Sequence, residues 1–119
     1  MSYVDGFVLS VKKNKLETYK KMAKKAGKVW IEHGALSYRE CAIDHDNIQG
    51  MRSFADTADA KKNEVVIFAY IEYKSRAHRD KVNAKVMKDK RMNEMCDPND
   101  MPFDCKRMSY GGFKTIVSY

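Results

Sequence analysis

Long apolar runs are missing from this sequence. The longest, Val65 to Ile71, has seven residues, against the roughly 20 that a bilayer-spanning helix needs. The opening Met1-Ser2-Tyr3-Val4-Asp5-Gly6 lacks the basic start and apolar stretch of a secretory signal. Cysteine is scarce and unpatterned: Cys41, Cys96 and Cys105 show no CxxC pair and no Cys/His spacing suited to zinc. We therefore expect reduced thiols, a cytoplasmic location and no membrane partner. Also absent are a glycine-rich phosphate loop, a nucleophile elbow and a histidine-glutamate metal helix. Asp44-His45-Asp46 has no further ligand at a defined spacing and reads as a turn. The sequence calls for no metal and no cofactor.

What is present is ordinary globular material. The 119 residues, 44% apolar and 33% charged, fit one domain spanning 1–119 with one core. The net charge of +7 is unevenly placed. From Lys12 to Lys28 eight lysines face Glu17 alone, and from Lys74 to Arg91 eight basic residues face Asp80 and Asp89. All the excess positive charge lies in these two segments.

Tyr3 to Val11 alternates as a strand, with Tyr3, Asp5, Phe7 and Leu9 on one face and Val4, Gly6, Val8 and Ser10 on the other. Asn14 and Glu17 have the form of a capping box. The helix that follows carries a stripe of Leu16, Tyr19, Met22, Ala23, Ala26, Val29, Trp30 and His33, and Gly34 ends it. A second strand runs from Leu36 to Ile43. The polar stretch from His45 to Asn63 is too long for an ordinary loop, so it is a functional flap or holds a small element, pinned by Met51 and Phe54. Glu64 to Tyr73 is the third strand. Ser75 caps a second helix through Asp89, and a short helical piece follows at Lys90 to Met95. Asp97 to Pro102 is loop chemistry. Lys106 to Val117 is a last strand, where Gly111-Gly112 implies a bulge or a close backbone approach. The order strand, helix, strand, strand, helix, strand suits an antiparallel sheet with both helices on one face, an α+β fold.

The third strand is apolar on both sides: Val65, Ile67, Ala69 and Ile71 point one way, Val66, Phe68 and Tyr70 the other. A sheet with one wet face should alternate apolar with polar. Two helices cover one face, so the other needs a cover from elsewhere. Packing against an identical sheet supplies it and gives a closed twofold homodimer; the alternative is that the long loop or the C-terminal end folds over that face.

Several segments then fall into a known pattern. Tyr3-Val4-Asp5-Gly6-Phe7, Lys28-Val29-Trp30-Ile31-Glu32-His33-Gly34-Ala35-Leu36, Tyr38-Arg39-Glu40-Cys41, Tyr73-Lys74-Ser75-Arg76-Ala77-His78-Arg79-Asp80, Met101-Pro102-Phe103-Asp104 and Gly111-Gly112-Phe113 resemble the YbaA-like family of uncharacterised bacterial proteins. The resemblance covers nearly the whole chain. It implies the ferredoxin-like βαββαβ fold of the dimeric alpha-beta barrel superfamily. Relatives there include small monooxygenases, haem-degrading enzymes and muconolactone isomerases, but no residue set here maps securely onto any of them.

Three constellations could carry chemistry. The first is a helix–sheet cleft holding Trp30, His33 and His78, shared by Arg39 and Cys41 if they face the helices. Such a cleft could bind an aromatic carboxylate, or orient a substrate for oxidation or isomerisation. Its plain reading is a core tryptophan, a histidine favoured by the helix dipole and an arginine paired with a loop aspartate. The second is an inter-sheet set of Asp5, Tyr38, Glu40, Tyr70 and Glu72, with Tyr110 alongside, able to act as acid and base or to pair across a dimer. The third is the basic exterior: Lys20, Lys21, Lys24, Lys25 and Lys28, with Arg79, Lys81, Lys85 and Lys88. It could attract RNA, although it lacks interleaved aromatics for base stacking and reads equally as solvated helix surface. The expected function is thus small-molecule binding by a homodimer. The alternatives are nucleic-acid binding and a structural or assembly role without a ligand.

Overall fold

The computed structural model describes residues 2–95, 99 and 101–119. Cys96, expected as a reduced thiol, and Asp97, Pro98 and Asp100 of the expected loop lie outside the described residues. The elements are β1 (Tyr3–Lys12), α1 (Leu16–Glu32), β2 (Ser37–Ala42), α2 (Phe54–Thr57), β3 (Glu64–Tyr73), α3 (Arg76–Met87), α4 (Lys90–Glu94) and β4 (Ser109–Lys114). The strands form one antiparallel sheet in the order β2-β3-β1-β4. With β1 and β3 central and a helix after each of β1 and β3, this is the ferredoxin-like arrangement.

The β1–β3 register pairs Tyr3 with Tyr73, Asp5 with Ile71, Phe7 with Ala69 and Leu9 with Ile67. Those residues turn to the helices. Val29, Val82 and Val86 close over Ile71 and Tyr73, while Tyr19 packs with Leu9, Val11 and Ile67. Burying each large apolar side chain contributes roughly 1.5–3 kcal/mol, so this layer holds α1 and α3 to the sheet.

Local chemistry sets the boundaries. The expected Asn14–Glu17 capping box does not form. Lys13–Lys15 make a 3-10 turn, which moves the start of α1 past Asn14 and puts Lys15 at the N-cap, where its side chain makes no capping hydrogen bond. At the other end Gly34 has φ 115°. The Ala35 N–H donates to the Trp30 carbonyl at 3.0 Å and the Gly34 N–H to that of Ile31 at 3.1 Å, a Schellman closure that needs the left-handed glycine. Ser75 caps α3 by accepting from the His78 N–H at 3.1 Å. At Gly111-Gly112 the β1–β4 register runs without a bulge; the close approach is the Tyr3 ring, which fills the space a Cβ on Gly112 would take.

The long polar stretch contains α2. Asp46 accepts from the backbone N–H groups of Phe54 and Ala55 at 2.7 and 3.1 Å. Met51 does not pin it, being 72% exposed; the anchor is the buried Ala58, whose carbonyl accepts from Ser10 at 3.3 Å. This segment lies on the sheet face opposite α1 and α3 and covers Ser10 and Val66. Val4, Val8, Phe68, Tyr70 and Phe113 remain around an open apolar hollow on that face.

Candidate functional site

The site begins with α1. Tyr19, Ala23, Ala26 and Trp30 recur at three- and four-residue steps, so they stack along the face turned to the sheet. Opposite them, β2 presents Tyr38 and Glu40, because the β2–β3 register pairs Tyr38 with Ile71 and Glu40 with Ala69, both on the helix side. Between these surfaces lies a half-open cavity of about 290 Å³, also lined by Met92, Met95, Phe103 and Met108. A wider groove of about 640 Å³ opens beside it between α1 and the edge strand β2, fringed by Lys20, Lys24 and Lys28. Tyr19, Tyr38 and Glu40 border both spaces.

Glu40 organises the polar side of the cavity. Its Oε1 accepts from the Tyr19 hydroxyl and its Oε2 from the Tyr38 hydroxyl, each at 2.7 Å. Burial, reinforced by the Glu40 charge, pushes both phenols well above the ordinary tyrosine range, so they stay protonated donors. Trp30 donates its indole N–H to the Tyr73 hydroxyl at 3.0 Å, which donates in turn to Asn83 Oδ1 at 3.3 Å. The rest of the lining is apolar, with Phe7 and the methionines prominent.

Of the expected cleft residues, Trp30 lines the cavity and the others do not gather around it. Arg39 and Cys41 pair with Tyr70 and Phe68, so strand alternation places both on the outer face, where both are exposed; Arg39 also borders the cavity at the strand. His33 Nε2 lies 2.8 Å from Asp89 Oδ2, in a network that includes Arg91 and Glu32. Within it the Arg91 and His33 hydrogen bonds hold the Asp89 carboxyl far below its usual value. His78 Nδ1 accepts from the Lys74 N–H at 3.0 Å, and its ring stands edge-on to Tyr73.

The expected inter-sheet set is also divided. Tyr70 and Glu72 face outward, whereas Asp5, Tyr38 and Glu40 face the helices. Asp5 does meet Tyr110, which donates to Asp5 Oδ2 at 3.2 Å and stacks on Phe7 at 4.8 Å. The cation that completes this cluster is Arg79, bonded to Asp5 Oδ1 at 2.7 Å and to the Tyr110 hydroxyl at 2.9 Å. Burial raises the Asp5 pKa against the opposing pull of Arg79 and Tyr110. Arg79, expected on the basic exterior, is thus turned inward, and that exterior consists of lysines. Among the described residues no group of three His, Cys, Asp or Glu side chains could hold a metal ion, and no helix is long and apolar enough to cross a membrane.

Sequence reasoning placed Glu40 in the wrong layer and took Tyr19 only as part of a stripe. On α1 a signal existed, since the Tyr19 hydroxyl is a polar group in a largely apolar stripe; on β2 there was none. The parity of β2 against β3, which unites Tyr19, Tyr38 and Glu40, requires the register.

Comparison with known proteins extends this. A family model described as "Protein of unknown function (DUF1428)" matches residues 2–105. The chain is 44% identical over 117 residues to the uncharacterised protein YbaA of Escherichia coli K12, covering 98% of each, and equally so to its counterpart in Shigella flexneri. Among solved structures it is similar to a Nitrosomonas europaea protein provisionally named an antibiotic biosynthesis monooxygenase, with TM-score 0.57, 17% identity and coverage of 97% of this chain and 90% of that one. It is also similar to the de novo designed protein Foldit4, with TM-score 0.50, 9% identity and coverage of 97% and 99%. The two structural likenesses concern the fold alone.

Proposed function

We propose, for a chain that belongs to the DUF1428 family of proteins of unknown function, that it binds a small organic molecule between α1 and the sheet and works as a homodimer. The observation that carries this reading is the cavity beside Trp30. The slot of about 290 Å³ is walled mainly by apolar and aromatic side chains, with the Glu40 carboxylate and its two phenols set among them, which is the make-up of a small-molecule pocket. An isomerase- or monooxygenase-like reaction on the bound molecule is the associated reading. The monooxygenase-like form rests on the name and fold of the N. europaea protein, a likeness of fold and not of residues, and the isomerase-like form on the superfamily resemblance alone.

The dimer reading rests on the outer face. Phe68 and Phe113 are 46% and 62% exposed there, beside Val4, Val8 and Tyr70. A second copy offers the same apolar surface in return.

The test uses the protein's single tryptophan. Thermal-shift and Trp30 fluorescence measurements across small aromatic and aliphatic molecules should find a class that raises Tm and perturbs the emission. If nothing moves either signal, and the cavity-filling Ala26→Leu raises Tm, the slot is a packing defect and the reading is wrong.

A further inference from the structure

We infer that the cavity is built for an apolar molecule with a hydrogen-bond-donating, amine-type head group, and that Glu40 receives that head. The inference rests on the binding role proposed above and specifies its ligand chemistry. It also reverses the polarity expected from the sequence, which joined an arginine and two histidines into a site for a carboxylate.

The argument counts donors and acceptors. Besides the Arg39 guanidinium at its border, the donors around the slot are an indole N–H and the two phenol hydroxyls of Tyr19 and Tyr38, and each of these three is already committed. The Trp30 N–H goes to Tyr73, and both phenols give their protons to Glu40. A ligand carboxylate inside the slot would find these three donors taken and could turn only to Arg39 at its border. The Glu40 carboxylate, by contrast, has about four acceptor sites, and the phenols take one on each oxygen. What it has left to offer is acceptance.

The remaining walls agree. Trp30 and Tyr38 stand with ring centroids 6.1 Å apart, tilted by 37°, and both line the slot; aromatic faces attract cations that come over them. Met22, Met92, Met95 and Met108 supply polarisable, adaptable contacts for the apolar body. The volume of about 290 Å³ lies at the small end of the roughly 300–1,000 Å³ of ligand pockets, which suits a single ring with a short arm. Two sets of cations stand nearby. Lys20, Lys24 and Lys28 are exposed on the rim of the neighbouring groove, where solvent screens them. Arg39 borders the slot but holds an exposed, outer-face position opposite Tyr70.

Two probes of matched size separate the cases: 2-phenylethylamine and phenylacetate, titrated into the wild-type protein at neutral pH and followed by Trp30 fluorescence and calorimetry. The amine should bind about tenfold or more tightly than the acid. Glu40→Gln should remove that preference by weakening the amine. Tyr38→Phe, which keeps the carboxylate and frees one of its lone pairs, should retain it. Tighter or equal binding of phenylacetate by the wild-type protein overturns the inference while leaving a ligand site in place. Binding of neither probe overturns it together with the reading it rests on. The wild-type comparison stands even if a variant fails to fold.

Discussion

Gly27 lies against the ring of Tyr38 so closely that a Cβ at that position would sit 2.9 Å from the ring's Cδ1 and 3.1 Å from Cε1. The helix backbone there rests directly on the Tyr38 ring of the edge strand. This contact lines the groove beside the cavity, and the ring it positions is tied to Glu40 at 2.7 Å.

Replacing Gly27 by alanine therefore sets two effects against each other. In an exposed helix interior the change stabilises by about 1 kcal/mol. Here the new methyl must displace a ring held at both ends, and overpacking of this kind costs roughly 1–3 kcal/mol. The clash should win. Gly27→Ala is expected to lower Tm and to shift the Trp30 emission; a rise in Tm would show that the ring yields freely.

A second test concerns the Glu40 clamp. Tyr38→Phe removes one of its two donors but leaves Tyr19 in place, so the carboxylate keeps a partner. The loss should be about 1 kcal/mol, typical for one hydrogen bond. Tyr19→Phe should cost about the same. The double variant should cost more than the sum of the two, because it strips the carboxylate of both donors. Chemical denaturation of the three variants measures this, and strict additivity would count against the clamp.

How much of this could be read beforehand follows from particular residues. The alternation of β1, the double apolar character of β3 and the Gly34 stop are local signals, and each found its element. Whether Arg39 or Glu40 faces α1 is decided by one step of register in β2. That strand gives no cue, since Tyr38, Glu40 and Ala42 on one side and Arg39, Cys41 and Ile43 on the other are equally mixed. A slip of one residue exchanges the faces, and the expected site moved with it. Arg79 was misread for a related reason: a charged residue on a lysine-rich helix looks solvated until its partner, the distant Asp5, is placed beneath it.

Acid should act at one identified pair. Arg107 holds Glu64 through two 2.7 Å hydrogen bonds. With the Lys61 backbone N–H in a lesser role, this lowers the Glu64 pKa from 4.5 to about 2. A carboxylate depressed in the folded state adds stability that is complete above its unfolded value and is lost as pH falls through the folded one. Arg107→Ala should therefore lower Tm by a few degrees at pH 7. The gap between variant and wild type should shrink as pH falls from about 4.5 to about 2. Melts across that range give the answer; a gap independent of pH would assign the effect to packing.

The outer face offers the last prediction. Phe68 is 46% exposed and packs edge-on to Tyr70 at 6.4 Å, in the apolar hollow with Val4, Val8 and Phe113. Within one protomer a glutamate at this position reaches water and should leave the fold intact. Across a twofold interface it would bring two like charges together in an apolar contact, at a cost of several kcal/mol. Sedimentation at micromolar concentration should accordingly find a dimer for the wild-type protein and a folded monomer, with unchanged circular dichroism, for Phe68→Glu. A wild-type protein that sediments as a monomer would mean that the hollow stays open to solvent, and the association argued from it would fail.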